Sequence, residues 1–124
     1  MNSISIYLNF LKKKGISLSD INIGSEEYAL NIINSLAALN LLKDSKSSVL
    51  GGDILTEENN KLMYAYQIWG DEFISLNWYC EKIENESKEQ YLKRSYNIAR
   101  SSILEANKIA EKLNKKCFIV LVTE

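Results

Sequence analysis

Residues 87–123 read SKEQYLKRSYNIARSSILEANKIAEKLNKKCFIVLVT, and this stretch decides the fold. Ser87 followed three residues later by Gln90 is a capping-box pattern. Glu89 falls in the first turn, where a negative charge meets the positive end of the helix dipole. Tyr91, Leu92, Ser95, Ile98, Ala99, Ser102, Ile103, Ala106, Ile109, Ala110 and Leu113 then mark one continuous stripe at the helical period. A helix of about 26 residues is about 39 Å long. A 124-residue domain has a radius of gyration of only about 14 Å, so this helix must cross the whole of it. Cys117 to Thr123 follows as a nearly unbroken apolar run, the pattern of a central strand buried on both faces.

Working outward, Ser48–Thr56, Leu62–Trp69 and Glu72–Ile83 are rich in β-branched and aromatic residues. Their separators, Glu58-Asn59-Asn60 and Gly70-Asp71, are turn chemistry. Gaps this short force antiparallel neighbours, so the three segments predict a meander whose last strand sets Ile74, Leu76, Trp78 and Cys80 on the core face. Further upstream, Ser3–Lys14 reads as a helix with Ile4, Tyr7, Leu8 and Leu11 on one face and Gly15 as its left-handed cap. Ile16 to Gly24 reads as an extended linker rather than a strand. Ser25 is the expected N-cap of a second helix carrying Ile32, Ile33, Leu36 and Leu39 and ending near Lys43. The fold class is α+β: two N-terminal helices, a three-stranded antiparallel meander, a long helix and a final central strand. That makes a four-stranded sheet with helices packed on it, in a single domain spanning residues 1–124. Gly51-Gly52 inside the first strand is expected to give the long helix room to pack, or else to admit a partner's backbone.

The absences restrict function. With 124 residues, 46% of them hydrophobic and 25% charged, the composition is that of an ordinary globular protein. There is no histidine, so Ser-His-Asp and Cys-His machinery is excluded, along with any imidazole base. Cys80 and Cys117 stand far apart, with neither a zinc-ligand pattern nor a disulfide framework around them. Reduced thiols packed in strands are the reading, and no metal or other cofactor is expected. No stretch approaches the roughly 20 apolar residues of a membrane span. The N-terminus is apolar first and basic after, the reverse of a secretory signal. The expected location is the cytoplasm, and the expected state is a monomer or weak homodimer.

Charge is divided along the chain. Residues 1–52 carry net +1, residues 53–89 net −6 and residues 90–124 net +4. The acidic middle also holds half of the aromatics, Tyr64, Tyr66, Trp69, Phe73, Trp78 and Tyr79. Trp78-Tyr79 in a strand puts one ring on each face, so Tyr64, Tyr66 and Tyr79 are candidates to share the sheet face away from the long helix. Tyrosine and tryptophan ringed by carboxylates is the composition of a protein-binding hot spot. The candidate partner-binding residues are therefore Asp53, Glu57, Glu58, Tyr64, Tyr66, Trp69, Asp71, Glu72, Tyr79 and Glu81. An acidic surface of this kind steers a basic protein partner. Nucleic acid is disfavoured as a partner by the overall balance of charge, and the basic helix has only two arginines and no aromatic interleaving of the single-strand-binding kind.

Three stretches carry a family resemblance: Val49-Leu50-Gly51-Gly52-Asp53-Ile54-Leu55, Asn77-Trp78-Tyr79-Cys80-Glu81, and Ser95 with Ala99 on the long helix. Together they resemble immunity protein family 40 of the bacterial polymorphic toxin systems, over roughly residues 30–123, with Leu62 to Phe73 departing from the pattern. The resemblance implies a protein that binds a cognate, co-encoded toxin domain and blocks it without catalysis. A basic nuclease is the kind of toxin the acidic surface suits. The competing class is a small cytoplasmic enzyme or accessory subunit using paired carboxylates or Cys80, which requires a deep pocket around them.

Overall fold

The computed structural model describes residues 3–124. Its elements in chain order are α1 (Ser3–Lys14), β1 (Ile16–Ser17), β2 (Tyr28–Asn31), α2 (Ile32–Ser45), β3 (Val49–Glu58) and β4 (Lys61–Tyr64). They continue with α3 (Ala65–Trp69), a 3-10 helix (Asp71–Leu76), β5 (Trp78–Tyr79), α4 (Lys88–Leu113) and β6 (Phe118–Thr123). The fold is α+β around one antiparallel sheet of order β1-β2-β6-β3-β4, with β5 also paired to β3.

The long helix forms as its sequence dictates. The Ser87 side chain accepts from Gln90 N and the Gln90 side chain accepts from Ser87 N, completing the capping box. Asn114, in the left-handed conformation, closes the other end. Ser95, Ala99, Ala106 and Ala110 are buried alongside Ile103, and their small side chains let α4 lie close on the sheet. Ser95 Oγ accepts from Val49 N at 3.2 Å, a direct bond from helix to strand. Tyr96, which the stripe omitted, is buried too. Its hydroxyl lies 2.7 Å from Ser47 O and 3.1 Å from Leu42 O, so it ties α4 to the end of α2.

β6 is central, flanked by β2 and β3. Ile119 sits opposite both Leu30 and Ile54 on the helical side, and Val120 opposite both Ala29 and Asp53 on the other. Both faces of the strand are covered at this level, which accounts for its unbroken apolar run. α2 and α4 complete a main core of which Leu30, Leu42, Ile54, Ile103 and Ile119 are fully enclosed members. On the opposite face a smaller cluster of Leu18, Ala29, Leu55 and Val120 is roofed by the chain around Leu18 and Ile21.

Several expectations fail, each for a physical reason. Gly15 does not have a positive φ and is not a left-handed cap. It is needed for close approach, because a Cβ there would stand 2.7 Å from both Leu11 O and Tyr28 Cβ. The linker contains β1, which pairs with β2. Ser25 caps no helix: its Oγ accepts from Glu27 N in a local turn. Tyr28–Asn31 is drawn into the sheet by β6, so the helix starts later, with Asn31 Oδ1 accepting from Asn34 N at 2.8 Å. Pairing with a central strand overrides the local helix signal. Ile33 is consequently off the packed stripe and 79% exposed.

The meander holds only for its first hairpin. Asn59 and Asn60 both have positive φ, the backbone of a tight two-residue hairpin turn, and β4 runs back along β3. After Tyr64 the chain leaves the sheet. Ala65 is buried and begins α3, Gly70 turns with φ 129°, and Asp71–Leu76 is a 3-10 helix rather than a strand. Ile74, expected in the core, is 55% exposed. The chain returns as β5 on the same edge of β3, opposite Gly51 and Gly52. The sheet thus has six strands, not four.

That return corrects the reading of the glycines. A Cβ on Gly52 would collide with the Trp78 ring, and one on Gly51 with the Trp78 carbonyl oxygen. Trp78, not the long helix, fills the space above Gly52. β3 is also irregular between Val49 and Gly51, where its register against β6 shifts.

Candidate partner-binding surface

Opposite residues in neighbouring strands share a face, and alternate residues along a strand do too. Gly51, Asp53, Leu55 and Glu57 therefore lie on the face of β3 away from α4. Leu55, opposite Phe118 and Tyr64, is roofed by the small cluster. Among the described residues, nothing roofs the other half of this face. There Gly51 stands between Tyr79 of β5 and Val122 of β6. Tyr79 is 73% exposed and Val122 36%, with no side chain on the glycine between them. Trp78 and Tyr79 do put one ring on each face: Trp78 packs on the main core while Tyr79 faces solvent.

Acids frame this open half. Asp53 is half-buried and its carboxyl is raised by that burial. Glu27, at the entrance to β2, is raised by partial burial and then by the charge of Asp53. Among the described residues the ion pairs are Arg94–Glu86, Lys115–Glu58 and Lys116–Glu57, so no cation offsets this pair. Glu81 lies on the Tyr79 side, and its hydrogen bond and charge raise the Tyr79 phenol.

Behind Tyr79 and Glu81 a single arginine fixes the chain. Arg94 of α4 donates from Nε and Nη2 to the two carboxylate oxygens of Glu86, at 2.7 and 2.8 Å. It also donates from Nη2 to Glu81 O at 2.5 Å and from Nη1 to Cys80 Sγ at 3.3 Å. Its guanidinium lies 5.5 Å from the Tyr91 ring centroid, and the Tyr91 hydroxyl donates to Cys80 O at 2.7 Å. Glu86 also accepts from Ile83 N, and these bonds hold its carboxyl down to about 2, with the Arg94 hydrogen bond the largest cause. The loop from Cys80 to Glu86 is thereby pinned to α4 from four directions.

The ten candidate residues separate. Asp53, Tyr79 and Glu81 come together on the open half-sheet. Tyr64 and Tyr66 stack at 6.0 Å, and the Tyr64 hydroxyl accepts from Asn22 Nδ2, so Tyr64 shares the face but sits at its roofed end. At about 3.3 Å per residue, the four positions between their partners on β3 place Tyr64 about 13 Å from Tyr79. Glu57 and Glu58 lie at the far tip of the hairpin, spent on Lys116 at 3.0 Å and Lys115 at 3.8 Å. Trp69 packs on the main core and meets Phe73 edge-on, on the helical side. Asp71 and Glu72 are exposed at the start of the 3-10 helix that follows it. Sequence reading missed Glu27, assigned to a helix start, and Val122, assigned to the buried run. It also missed Arg94, for which spacing gives no signal.

Neither thiol is presented for chemistry. Cys80 is 2% exposed, and the Cys117 thiol is pushed up to about 12 by burial. Both flank strands rather than lying in them, and both are free. Among the described residues no group of three His, Cys, Asp or Glu side chains is placed to hold a metal ion. No helix among them is long and apolar enough to cross a membrane.

No curated protein and no solved structure matches the chain. The family model for Immunity protein 40 matches residues 17–123, which leaves α1 outside and takes in every strand from Ser17 onward, the roofed and open halves of the sheet, and α4. The chain belongs to the Immunity protein 40 family.

Proposed function

We propose that this immunity protein neutralises a co-encoded toxin by laying the open half of its sheet against a basic surface of the toxin domain, a nuclease being the type it suits best. The observation that carries the reading is the juxtaposition of an exposed Tyr79 and Val122 with Asp53 and Glu27, two acids that form no ion pair among the described residues. A partly desolvated carboxylate pair lowers the stability of the free protein and strengthens once a partner supplies positive charge. Tyr79 contributes a broad ring with few rotamers to lose, the residue type that dominates protein interfaces.

Asp53, Tyr79 and Glu81 form the centre of this contact, with Glu27 and Val122 added. Tyr64 and Tyr66 extend it along the roofed end. Trp69 lies outside this centre, packed on the core, while Asp71, Glu72, Glu57 and Glu58 lie outside it and contribute to long-range steering. An interface of about 800 Å² per partner engages about 20 to 30 residues, more than the open half-sheet supplies, so the adjoining loops take part. The protein acts as one domain, in the cytoplasm, one-to-one with its toxin and without catalysis.

Growth rescue tests the reading. The C-terminal domain of the protein encoded immediately upstream is expressed alone and together with this chain. Arrest by the neighbour alone and recovery on co-expression, abolished by Asp53→Lys with Tyr79→Ala, is the expected result. Full rescue by that double variant overturns the assignment of the surface.

A further inference from the structure

The helical side of the molecule carries a groove of opposite character. Between the end of α2 and the first turns of α4 lies a hollow of about 750 Å³ bordered by Lys43, Lys46, Lys88 and Lys93, with Leu92 and Tyr96 also lining it. One acid, Glu89, shares the lining, so its net charge is +3. None of the four ammonium groups belongs to an ion pair among the described residues. Lys88 stands in the first turn of α4, where the helix dipole disfavours a cation. The Tyr96 hydroxyl is already engaged by Leu42 O and Ser47 O, so the buried side chain offers no free polar group to the groove.

From this we infer that the α2–α4 groove docks an acidic segment of a protein partner, one in which carboxylates alternate with large apolar side chains. Charge complementarity supplies the sign and the apolar lining supplies the rest. Unpaired lysines at the rim meet carboxylates, and the half-buried Leu92 receives the apolar positions between them. Nucleic acid fits less well. Tyr96 is buried and cannot stack on a base, and a long polyanion leaving the groove meets a chain whose residues 53–89 carry net −6. The inference stands apart from the proposed toxin contact, since the groove is on the helical side of the sheet.

The test uses the full, isotope-labelled chain and a synthetic peptide in which pairs of Glu alternate with Leu, followed by amide chemical shifts. The expected result is saturable shifts confined to residues 43–47 and 88–97. Changing Lys43, Lys46, Lys88 and Lys93 together to Gln weakens binding about tenfold, as four rim pairs of a few tenths of a kcal/mol each would. Because like charges are removed, that variant melts no lower than the parent, which separates loss of the site from loss of the fold. Shifts outside the groove, or affinity unchanged in the variant, overturn the inference. So does a duplex or single-stranded oligonucleotide that binds the groove as tightly as the peptide.

Discussion

The two faces of β3 follow different rules within one strand. On the α4 side, Gly52 and Ile54 are enclosed by Trp78 and Ile103 and their neighbours, and the Cβ missing from Gly52 is replaced by an indole ring. On the other side, Asp53 and Gly51 sit beneath an open row in which Tyr79 and Val122 face solvent. The first face is organised for packing and the second is left incomplete. The difference teaches that stability and recognition are separated by a single residue step, because strand side chains alternate.

The largest effect that sharpens this contrast is on the packed face. Gly52→Val drives a branched side chain into the Trp78 ring and costs about 3 kcal/mol, at the upper end for overpacking. Ile103→Ala leaves a cavity under α4 and costs about 2–5 kcal/mol. Urea titration reads both, and a cost below about 1 kcal/mol for either breaks the account of the core.

Next is the open face, where the account expects binding and stability to move in opposite directions. Asp53 has its carboxyl raised by burial, so its ionised form is disfavoured in the folded state. Stability therefore increases as pH falls through its raised folded value toward the unfolded one near 3.9. Asp53→Asn removes that penalty and raises the melting temperature at pH 7, while slowing association with the toxin and flattening its salt dependence. A lower melting temperature contradicts the claim that Asp53 is uncompensated.

A smaller effect lies in the loop joining the two faces. Glu86 is held down to about 2 by Arg94, so its contribution is fully present above the unfolded value near 4.3 and is lost as pH falls from there toward 2. Glu86→Gln should flatten the acid limb of stability over that window, and the Tyr79–Glu81 segment should exchange its amides faster. The smallest effect is expected at the hairpin tip. Glu58→Gln removes a 3.8 Å surface pair and should change stability by less than about 0.5 kcal/mol, with toxin affinity nearly unchanged.

Legibility followed the range of the determining interaction. The long helix was readable because its cap and stripe are local, down to Ser87 and Gln90. The Asn59-Asn60 turn was readable for the same reason. Tyr28–Asn31 was not, because its fate is set by β6, about ninety positions later in the sequence. Residues 65–76 look like a strand by composition, yet Ala65 and Trp69 pack inward at helical spacing and Gly70 breaks the run. Of the site, Tyr79 was legible from alternation beside Trp78, whereas Glu27 and Arg94 reach it only through tertiary contacts.

The most direct test of the central claim is amide hydrogen exchange on the isotope-labelled protein, free and in complex with its toxin domain. The account predicts added protection at Gly51, Asp53, Tyr79, Glu81 and Val122, with α2 and α4 unchanged. Protection confined to the helical layer, with the open half-sheet exchanging as in the free protein, would contradict it.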